Sequence, residues 1–295
     1  MGKKSKSEKD DHEPTPELSE LLRLPKGRVD LDSWDPNGHP GYPGKGKKDA
    51  DEHLAALAPE LSDLQERLYA NGRSYGAEAP RLLVILQGSD TAGKGGVIRK
   101  AIGLVDPQGV ELKAFKQPTK EELSHDFLWR IRRALPSPGM IGIFDRSQYE
   151  DVLIARVQEL VPEDEWRKRY TQINAFEREV VDSGTVVIKC FLHVSNAEQK
   201  VRLGERLDNP EKYWKYNPGD VDKRLQWDEY RAAYNDALTR CNTKPAPWYV
   251  IPSDRKWYRN WAVAQLILEH LRAMDLSWPE ADFDIAAEQE RLAET

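Results

Sequence analysis

The chain has little cysteine and no long hydrophobic run. Of its 295 residues, two are cysteine and three are methionine. Two thiols, Cys190 and Cys241, cannot form a disulfide framework or a four-thiolate metal site, which excludes disulfide-rich secreted miniproteins and zinc ribbons. No window approaches the roughly 18 consecutive apolar residues of a membrane span, and the first residues lack the apolar core of a signal peptide. We therefore expect a cytoplasmic protein without membrane association.

A large excess of one charge is also missing. The chain has 44 Lys and Arg against 50 Asp and Glu, a net charge of −6. This balance argues against general nucleic-acid binding, which requires a basic surface. Any polyanionic ligand must meet a local basic patch. Hydrophobic residues make up 39% of the chain and include nine Trp and eleven Tyr, enough for a sizeable core.

Composition divides the chain into three parts. Residues 1–28 are predicted to be a disordered or extended tail, 29–275 one folded domain, and 276–295 a C-terminal tail. The Gly- and Pro-rich segment 34–48 predicts irregular structure. After it, leucines at steps of three and four predict a helix that is broken at Pro59 and stopped at Gly72.

Strand and helix patterns alternate through the middle of the chain. Short, mostly apolar runs predict strands over 82–86, 140–144, 186–192 and 248–251, and 110–115 is a further strand candidate. Helical patterns cover 95–104, 120–135, 196–207, 221–241 and 256–274, and a further helix carries Trp166, Tyr170, Ile173 and Phe176 on one face. Strands joined by helical crossovers predict an α/β fold: a mostly parallel sheet between two layers of helices.

The sequence GSDTAGKGG at residues 88–96 carries the sharpest chemical signal. It follows a buried strand and precedes a helix, the context that makes G-x-x-x-x-G-K a phosphate-binding P-loop rather than an ordinary glycine turn. Gly88, Gly93, Gly95 and Gly96 let backbone N–H groups face phosphate oxygens, and Lys94 adds a full positive charge.

This loop departs from the standard motif at two positions. Gly95 stands where a Ser or Thr hydroxyl would bind Mg²⁺, so the metal must be held elsewhere. Asp90 is an unusual carboxylate to find beside phosphates, and would repel them unless it binds a cation. We interpret Asp90 as a Mg²⁺ ligand or an orienter of the attacking oxygen; a turn-capping role is the alternative.

A second motif is IFDRSQYED at residues 143–151. An apolar strand ending in Asp145 is the Walker B arrangement, which puts a carboxylate near the P-loop and its metal. Arg146 follows at the sheet edge where its fork can clamp phosphate oxygens. Of Glu150 and Asp151, one helical turn later, one could face the cleft while the other caps the helix or forms a salt bridge.

Two basic stretches bear on a phosphate-rich ligand. Lys116 follows the second strand and leaves the same sheet edge. Residues 199–216 hold five basic side chains, including Arg202 and Arg206, at the point where nucleotide kinases carry a mobile lid. A solvated surface is the alternative for this charge run.

These motifs, with FKQPTKEE at 115–122 and ERLDNPEKYWKY at 205–216, resemble the second family of polyphosphate kinases, in order and over about residues 29–274. The resemblance implies a fold similar to thymidylate kinase, with a P-loop kinase domain over 29–275 and a helical lid at about 199–220. It also implies reversible transfer of phosphoryl groups between inorganic polyphosphate and nucleotides with Mg²⁺, for which Mn²⁺ can substitute. The YEDVL sequence resembles the subgroup, called class III, that phosphorylates both AMP and ADP.

The resemblance implies roles for single residues. Asp90 and Lys94 fall in the first Walker motif and Asp145 and Arg146 in the second, with Asp90 and Asp145 as metal ligands. Glu150 falls where an acid helps to select the acceptor. Lys116 would line the polyphosphate channel, and Arg202 and Arg206 would belong to the lid. Adenine nucleotides are the expected acceptors, guanine nucleotides are an alternative, and a homodimer or homotetramer is the expected assembly.

Two other functions are compatible with the same motifs. A nucleoside or nucleotide kinase that uses ATP shares the P-loop, lid and sheet, although Gly95 and Asp90 argue against it. A nucleotide-sensing or scaffold protein would bind phosphate without turnover. No Ser/His/Asp nucleophile site is evident, and phosphoryl transfer by direct in-line attack needs none.

Overall fold

Five strands form one sheet in the computed structural model, which describes residues 16–295. They are β1 (Arg81–Gln87), β2 (Val110–Ala114), β3 (Ile141–Asp145), β4 (Thr185–His193) and β5 (Trp248–Pro252). Their order across the sheet is β2-β3-β1-β4-β5, and every neighbouring pair is parallel. The predicted parallel sheet is confirmed.

Helices connect and cover these strands. The α-helices are α1 (Leu18–Leu22), α2 (Ala50–Ala56), α3 (Ala58–Tyr75), α4 (Lys94–Lys100), α5 (Trp129–Arg132), α6 (Glu150–Val157), α7 (Glu163–Asp182), α8 (Asn196–Leu207), α9 (Gly219–Leu225), α10 (Trp227–Arg240), α11 (Lys256–Ala273) and α12 (Ile285–Ala293). A 3-10 helix, Pro210–Lys215, lies between α8 and α9. In the described part of the chain, no helix is both long enough and apolar enough to cross a membrane.

Both faces of the sheet are buried. Leu82, Val84 and Leu86 of β1 pack into a core shared with α3, α4 and α11. Leu83 and Ile85, which alternate with them, pack into a core shared with α5 and α7 on the opposite face. This alternation explains why strands buried on both faces have continuous apolar sequences. The three-layer α/β arrangement expected from the sequence is therefore present.

Two helix predictions were wrong at particular residues. Of the predicted helix 120–135, only α5 and a single 3-10 turn are helical, because the Asp126 carboxylate accepts the N–H of Leu128 at 3.0 Å and holds a turn there. The helix predicted to stop at Gly72 continues to Tyr75 and ends at Gly76, where φ is +54°. Gly72 is instead a contact point, since a Cβ there would lie 2.5 Å from the Pro138 carbonyl oxygen.

Part of the segment that we predicted to be an N-terminal tail is folded against the core. Residues 1–15 lie outside the described residues, but α1 packs its buried Leu18 and Leu22 against the core. The Glu269 carboxylate accepts the backbone N–H of Leu18 at 3.0 Å and of Ser19 at 2.8 Å, and so satisfies the helix start. At the other end, Leu276 is also buried, whereas α12 is exposed along its length.

Candidate active site

The P-loop follows β1 and leads directly into α4. Gly88 and Gly93 have φ values of +150° and +108°, a region that side-chain-bearing residues rarely adopt, which explains glycine at both ends of the loop. The buried Lys94 turns back over the loop, and its Nζ donates to the Gly88 carbonyl oxygen at 2.8 Å. Burial lowers the pKa of Lys94, and the charge of Arg146 lowers it further, against three nearby carboxylates.

The end of β3 lies beside this loop because β3 pairs with β1, with Asp145 opposite Leu86. Arg146 follows in a left-handed conformation (φ +66°) and its N–H donates to the Leu86 carbonyl at 3.1 Å. This conformation is uncommon outside glycine and aims the side chain across the sheet edge. The two predicted Walker motifs therefore meet at one site.

Asp90 is the central carboxylate of the site. Its Oδ1 accepts from Nη2 of Arg146 at 3.0 Å, and its Oδ2 accepts from Nζ of Lys223 in α9 at 2.9 Å. Burial alone would raise the pKa of Asp90, but the charges of Lys94, Lys223 and Arg146 outweigh it and lower that pKa to about 2. Asp90 is thus an anion that links the P-loop, the second motif and α9.

The structure separates the roles of Glu150 and Asp151. The Oε1 of Glu150 accepts from the Gln87 amide at 3.1 Å and the side chain lines the cleft. Asp151 points away and forms salt bridges with Arg130 at 3.5 Å and Arg169 at 3.3 Å. The sequence left open which of the two acids faces the cleft. In the structure Glu150 faces it and Asp151 forms salt bridges.

A cleft opens beside Asp90, Arg146 and Glu150. Sequence reasoning missed several residues of its walls. They are Leu153, Ile154, Gln199, Lys223, Trp227, Tyr230 and Tyr234. The three aromatic side chains lie on one face of α10 at positions i, i+3 and i+7, a spacing that could have been read from the sequence. Lys223 offered no such signal, because 133 residues separate it from Asp90.

The carboxylates of this site fit a divalent cation bound together with phosphate. Asp90 and Asp145 leave the carboxyl ends of the adjacent strands β1 and β3 on the same side of the sheet. Among residues 16–295, no group of three or more His, Cys, Asp or Glu side chains is arranged to hold a metal unaided. One or two carboxylates plus substrate phosphates is the usual arrangement for Mg²⁺, which keeps several of its waters.

The structure places the predicted lid arginines differently from our expectation. Arg202 is 5% exposed and donates to the carbonyl oxygens of Thr91 and Ala92 at 2.9 and 3.3 Å, rather than projecting into the cleft. Arg206 donates to the Lys215 carbonyl at 2.8 Å and to Asp220 at 3.1 Å. Both guanidiniums are therefore bonded within the protein, and the buried Arg202 needs such acceptors because water does not reach it.

Of the remaining predicted residues, Lys116 is exposed beyond the end of β2, at the same sheet edge as the P-loop. Gly95 is exposed at the start of α4 with open space where a side chain would stand. Gly96 is different, since a Cβ there would lie 2.6 Å from the Arg259 guanidinium. The four P-loop glycines are therefore not equivalent.

Comparison with known proteins gives one consistent result. The family model described as polyphosphate kinase 2 matches residues 45–279. An AMP/ADP-polyphosphate phosphotransferase of Meiothermus ruber is 45% identical over 88% of this chain and 94% of its own length. An ADP-polyphosphate phosphotransferase of Rhodopseudomonas palustris is 40% identical over 86% and 89%. The crystal structure of polyphosphate kinase 2 from Arthrobacter aurescens is similar with a TM-score of 0.91 and 48% identity, covering 95% of this chain and 98% of that one.

Proposed function

Because the chain belongs to the polyphosphate kinase 2 family, we propose that it transfers the terminal phosphoryl group of inorganic polyphosphate to AMP and to ADP, reversibly and with Mg²⁺. The observation that carries this proposal is the meeting of the P-loop and the second motif at Asp90, where Arg146 and Lys223 each contribute a cation. Such a concentration of positive charge around a phosphate-sized loop suits a polyanionic donor.

In the proposed reaction, an acceptor phosphate oxygen attacks the terminal phosphorus of the polymer in line. A new P–O bond forms to the nucleotide while the P–O bond to the chain breaks, and a chain one unit shorter leaves. Lys94, the loop N–H groups and Arg146 stabilise the negative charge that develops. Bound Mg²⁺, held by Asp90 and Asp145, would neutralise phosphate charge. No covalent enzyme intermediate is required.

We assign the cleft beside Glu150 to the acceptor nucleotide. The aromatic side chains of Trp227, Tyr230 and Tyr234 supply surfaces against which a base can pack, and Glu150 supplies a hydrogen-bond acceptor fixed by Gln87. The family resemblance adds three further parts to the proposal. They are the use of guanine acceptors, a role for Mn²⁺ in place of Mg²⁺, and assembly into dimers or tetramers.

The proposal is tested by incubating the purified chain with AMP, long-chain polyphosphate and Mg²⁺ in the absence of ATP. We expect ADP to form first and ATP to form from it later. Anion-exchange chromatography measures both products over time. Parallel reactions with ADP, GMP and GDP define the acceptor range, and Lys94→Met serves as the inactive control. If AMP is phosphorylated only when ATP replaces polyphosphate, the chain is a nucleotide kinase and the proposal fails.

Denaturation of the enzyme after a pulse of labelled polyphosphate tests the direct mechanism. We expect all label in nucleotide and polymer. Label that stays on the denatured protein would show a phosphorylated intermediate and contradict in-line transfer between the two bound substrates.

A further inference from the structure

A buried arginine of α11 lies directly behind the P-loop. Arg259 is 3% exposed, and its Nη1 donates to the Ala92 carbonyl oxygen at 3.1 Å. A Cβ at Gly93 would lie 1.8 Å from this Nη1. The glycines at 93 and 96 therefore do more than permit a turn: they leave room for a guanidinium against the back of the loop.

A second buried arginine reaches the same carbonyl from another direction. Arg202 of α8 donates to the Thr91 and Ala92 carbonyl oxygens, and also to those of Ser253 and Asp254 after β5, at 2.6 and 3.0 Å. The Ala92 carbonyl is thus held by two guanidiniums, one from each of two helices distant in sequence. We call Arg202 and Arg259 the arginine brace.

Because the peptide bond is planar, the hydrogen bonds to the Ala92 carbonyl also determine where the Gly93 N–H points. In a trans peptide, the carbonyl of one residue and the N–H of the next point in opposite directions. With the Ala92 carbonyl turned back toward the brace, the Gly93 N–H points toward the opposite side of the loop. Positive charge at the carbonyl end also polarises the peptide and strengthens its N–H as a donor.

The charges of the brace are only partly compensated inside the protein. Arg202 pairs with Glu198 at 2.8 Å. Across residues 16–295, no carboxylate lies within salt-bridge distance of Arg259, whose contacts are the Ala92 carbonyl and the Asn260 side-chain oxygen. Burial lowers the pKa of Arg259 to about 9, and the like charge of Arg202 contributes, yet the group stays cationic at neutral pH. A buried cation next to a phosphate loop favours an anionic ligand on the far side.

We propose that the arginine brace, which lies behind the P-loop, increases the affinity of the loop for phosphate. It turns the Gly93 N–H toward the terminal phosphates of polyphosphate, and it adds positive potential at the loop. Neither arginine touches the ligand, so both are positioning residues. The inference rests on the proposed function, because it takes polyphosphate as the occupant of the loop.

The test measures equilibrium binding of inorganic tripolyphosphate to the full chain by calorimetry, at several NaCl concentrations, for wild type, Arg259→Gln and Arg202→Gln. We expect each variant to bind about tenfold more weakly, with a smaller loss of affinity on raising salt, since fewer charges are then screened. Arg255→Gln is the matched control, because it removes the same charge from the residue just before α11, and Arg255 contacts the Asn37 carbonyl instead of the P-loop.

Thermal unfolding of each variant without ligand separates this role from a structural one. Should Arg259→Gln fail to fold, Arg202→Gln and its salt dependence decide the matter. Wild-type affinity and salt dependence in a folded brace variant would overturn the inference and leave the proposed function intact. If the wild type itself neither binds tripolyphosphate nor uses polyphosphate, the proposed function fails, and this inference fails with it.

Discussion

Nζ of Lys223 lies 2.9 Å from Oδ2 of Asp90, so a lysine just beyond the predicted lid contacts the carboxylate that we expect to hold a metal ion. The other oxygen of Asp90 is bonded to Arg146. A divalent cation that binds Asp90 must therefore share or displace the Lys223 ammonium. We therefore expect metal binding at Asp90 to weaken the contact with α9.

Replacing Lys223 with Met should strengthen metal binding in the absence of phosphate. Removing one cation from Asp90 lowers the repulsion that an incoming metal meets, and we expect the affinity for Mn²⁺ to rise ~3-fold or more. Electron paramagnetic resonance of free Mn²⁺ measures this directly. Lys200→Met removes an exposed lysine of α8 and should leave the affinity unchanged. Equal affinities in wild type and Lys223→Met would show that the contact does not limit metal binding.

Alanine at two glycines of the P-loop should have opposite outcomes. At Gly93 a Cβ would overlap the Arg259 guanidinium and the φ of +108° disfavours any side chain, so we expect Gly93→Ala to lose at least about 2 kcal/mol of unfolding free energy. At Gly95 the space is open and the backbone helical, so Gly95→Ala should be as stable as wild type or slightly more so. Urea unfolding compares the two; similar losses would refute the distinction.

Asp145→Asn should lose most turnover while folding normally. The substitution keeps the size of the side chain but removes the negative charge that we assign to metal binding, and we expect kcat to fall about 100-fold or more. The melting temperature should stay within a few degrees of wild type. Near-normal rates at saturating Mg²⁺ would refute the metal-holding role.

A buried ion pair behind the second motif should show strong coupling. Lys189 of β4 is 0% exposed and its Nζ lies 2.6 Å from Glu177, which in turn accepts from Gln148 and Tyr149, just before Glu150. Lys189→Met leaves a buried carboxylate without a counter-charge, and we expect a loss of about 3–5 kcal/mol. The double variant Lys189→Met/Glu177→Gln removes both charges and should recover much of that stability. A double variant that is less stable than the single one would contradict this account.

His193 should make the protein less stable in mild acid. Its ring is 1% exposed, and burial together with the charge of Arg231 lowers its pKa from 6.5 to about 4. The unfolded chain therefore binds a proton between these values that the folded chain excludes, so stability is complete above pH 6.5 and falls as the pH drops toward 4, by about 3 kcal/mol.

Comparing wild type with His193→Gln isolates this contribution. The glutamine can keep a hydrogen bond to the Trp34 carbonyl, which His193 contacts at 3.1 Å, without titrating. As the pH falls from 7 to 4, we expect the unfolding free energy of wild type to decrease relative to that of His193→Gln. His125→Gln alters an exposed ring and should follow wild type. A pH-independent difference at His193 would rule out the proposed proton linkage.

Most of the fold was predictable from local pattern. Four runs of mostly apolar residues became four buried strands, because a strand covered on both faces needs apolar side chains at nearly every position. The fifth strand, β2, is an edge strand in which Lys113 is exposed. The break near Pro59 and the helix after GSDTAGK follow from backbone chemistry that acts within a few residues. The segment 120–135 was the exception, since its helical pattern competes with a turn held by the Asp126 side chain.

Some features of the candidate site were likewise predictable from the sequence, and others were not. The sequence by itself determined the P-loop, the paired Asp145 and Arg146, and the parallel sheet whose carboxyl edge brings them together, because each depends on neighbours in the chain. Only the tertiary structure decided that Arg202 lies behind the loop, that Lys223 reaches Asp90, and that Glu150 rather than Asp151 faces the cleft. These outcomes depend on helices packed from distant parts of the chain, and a buried charge takes whichever partner that packing brings within a few ångströms.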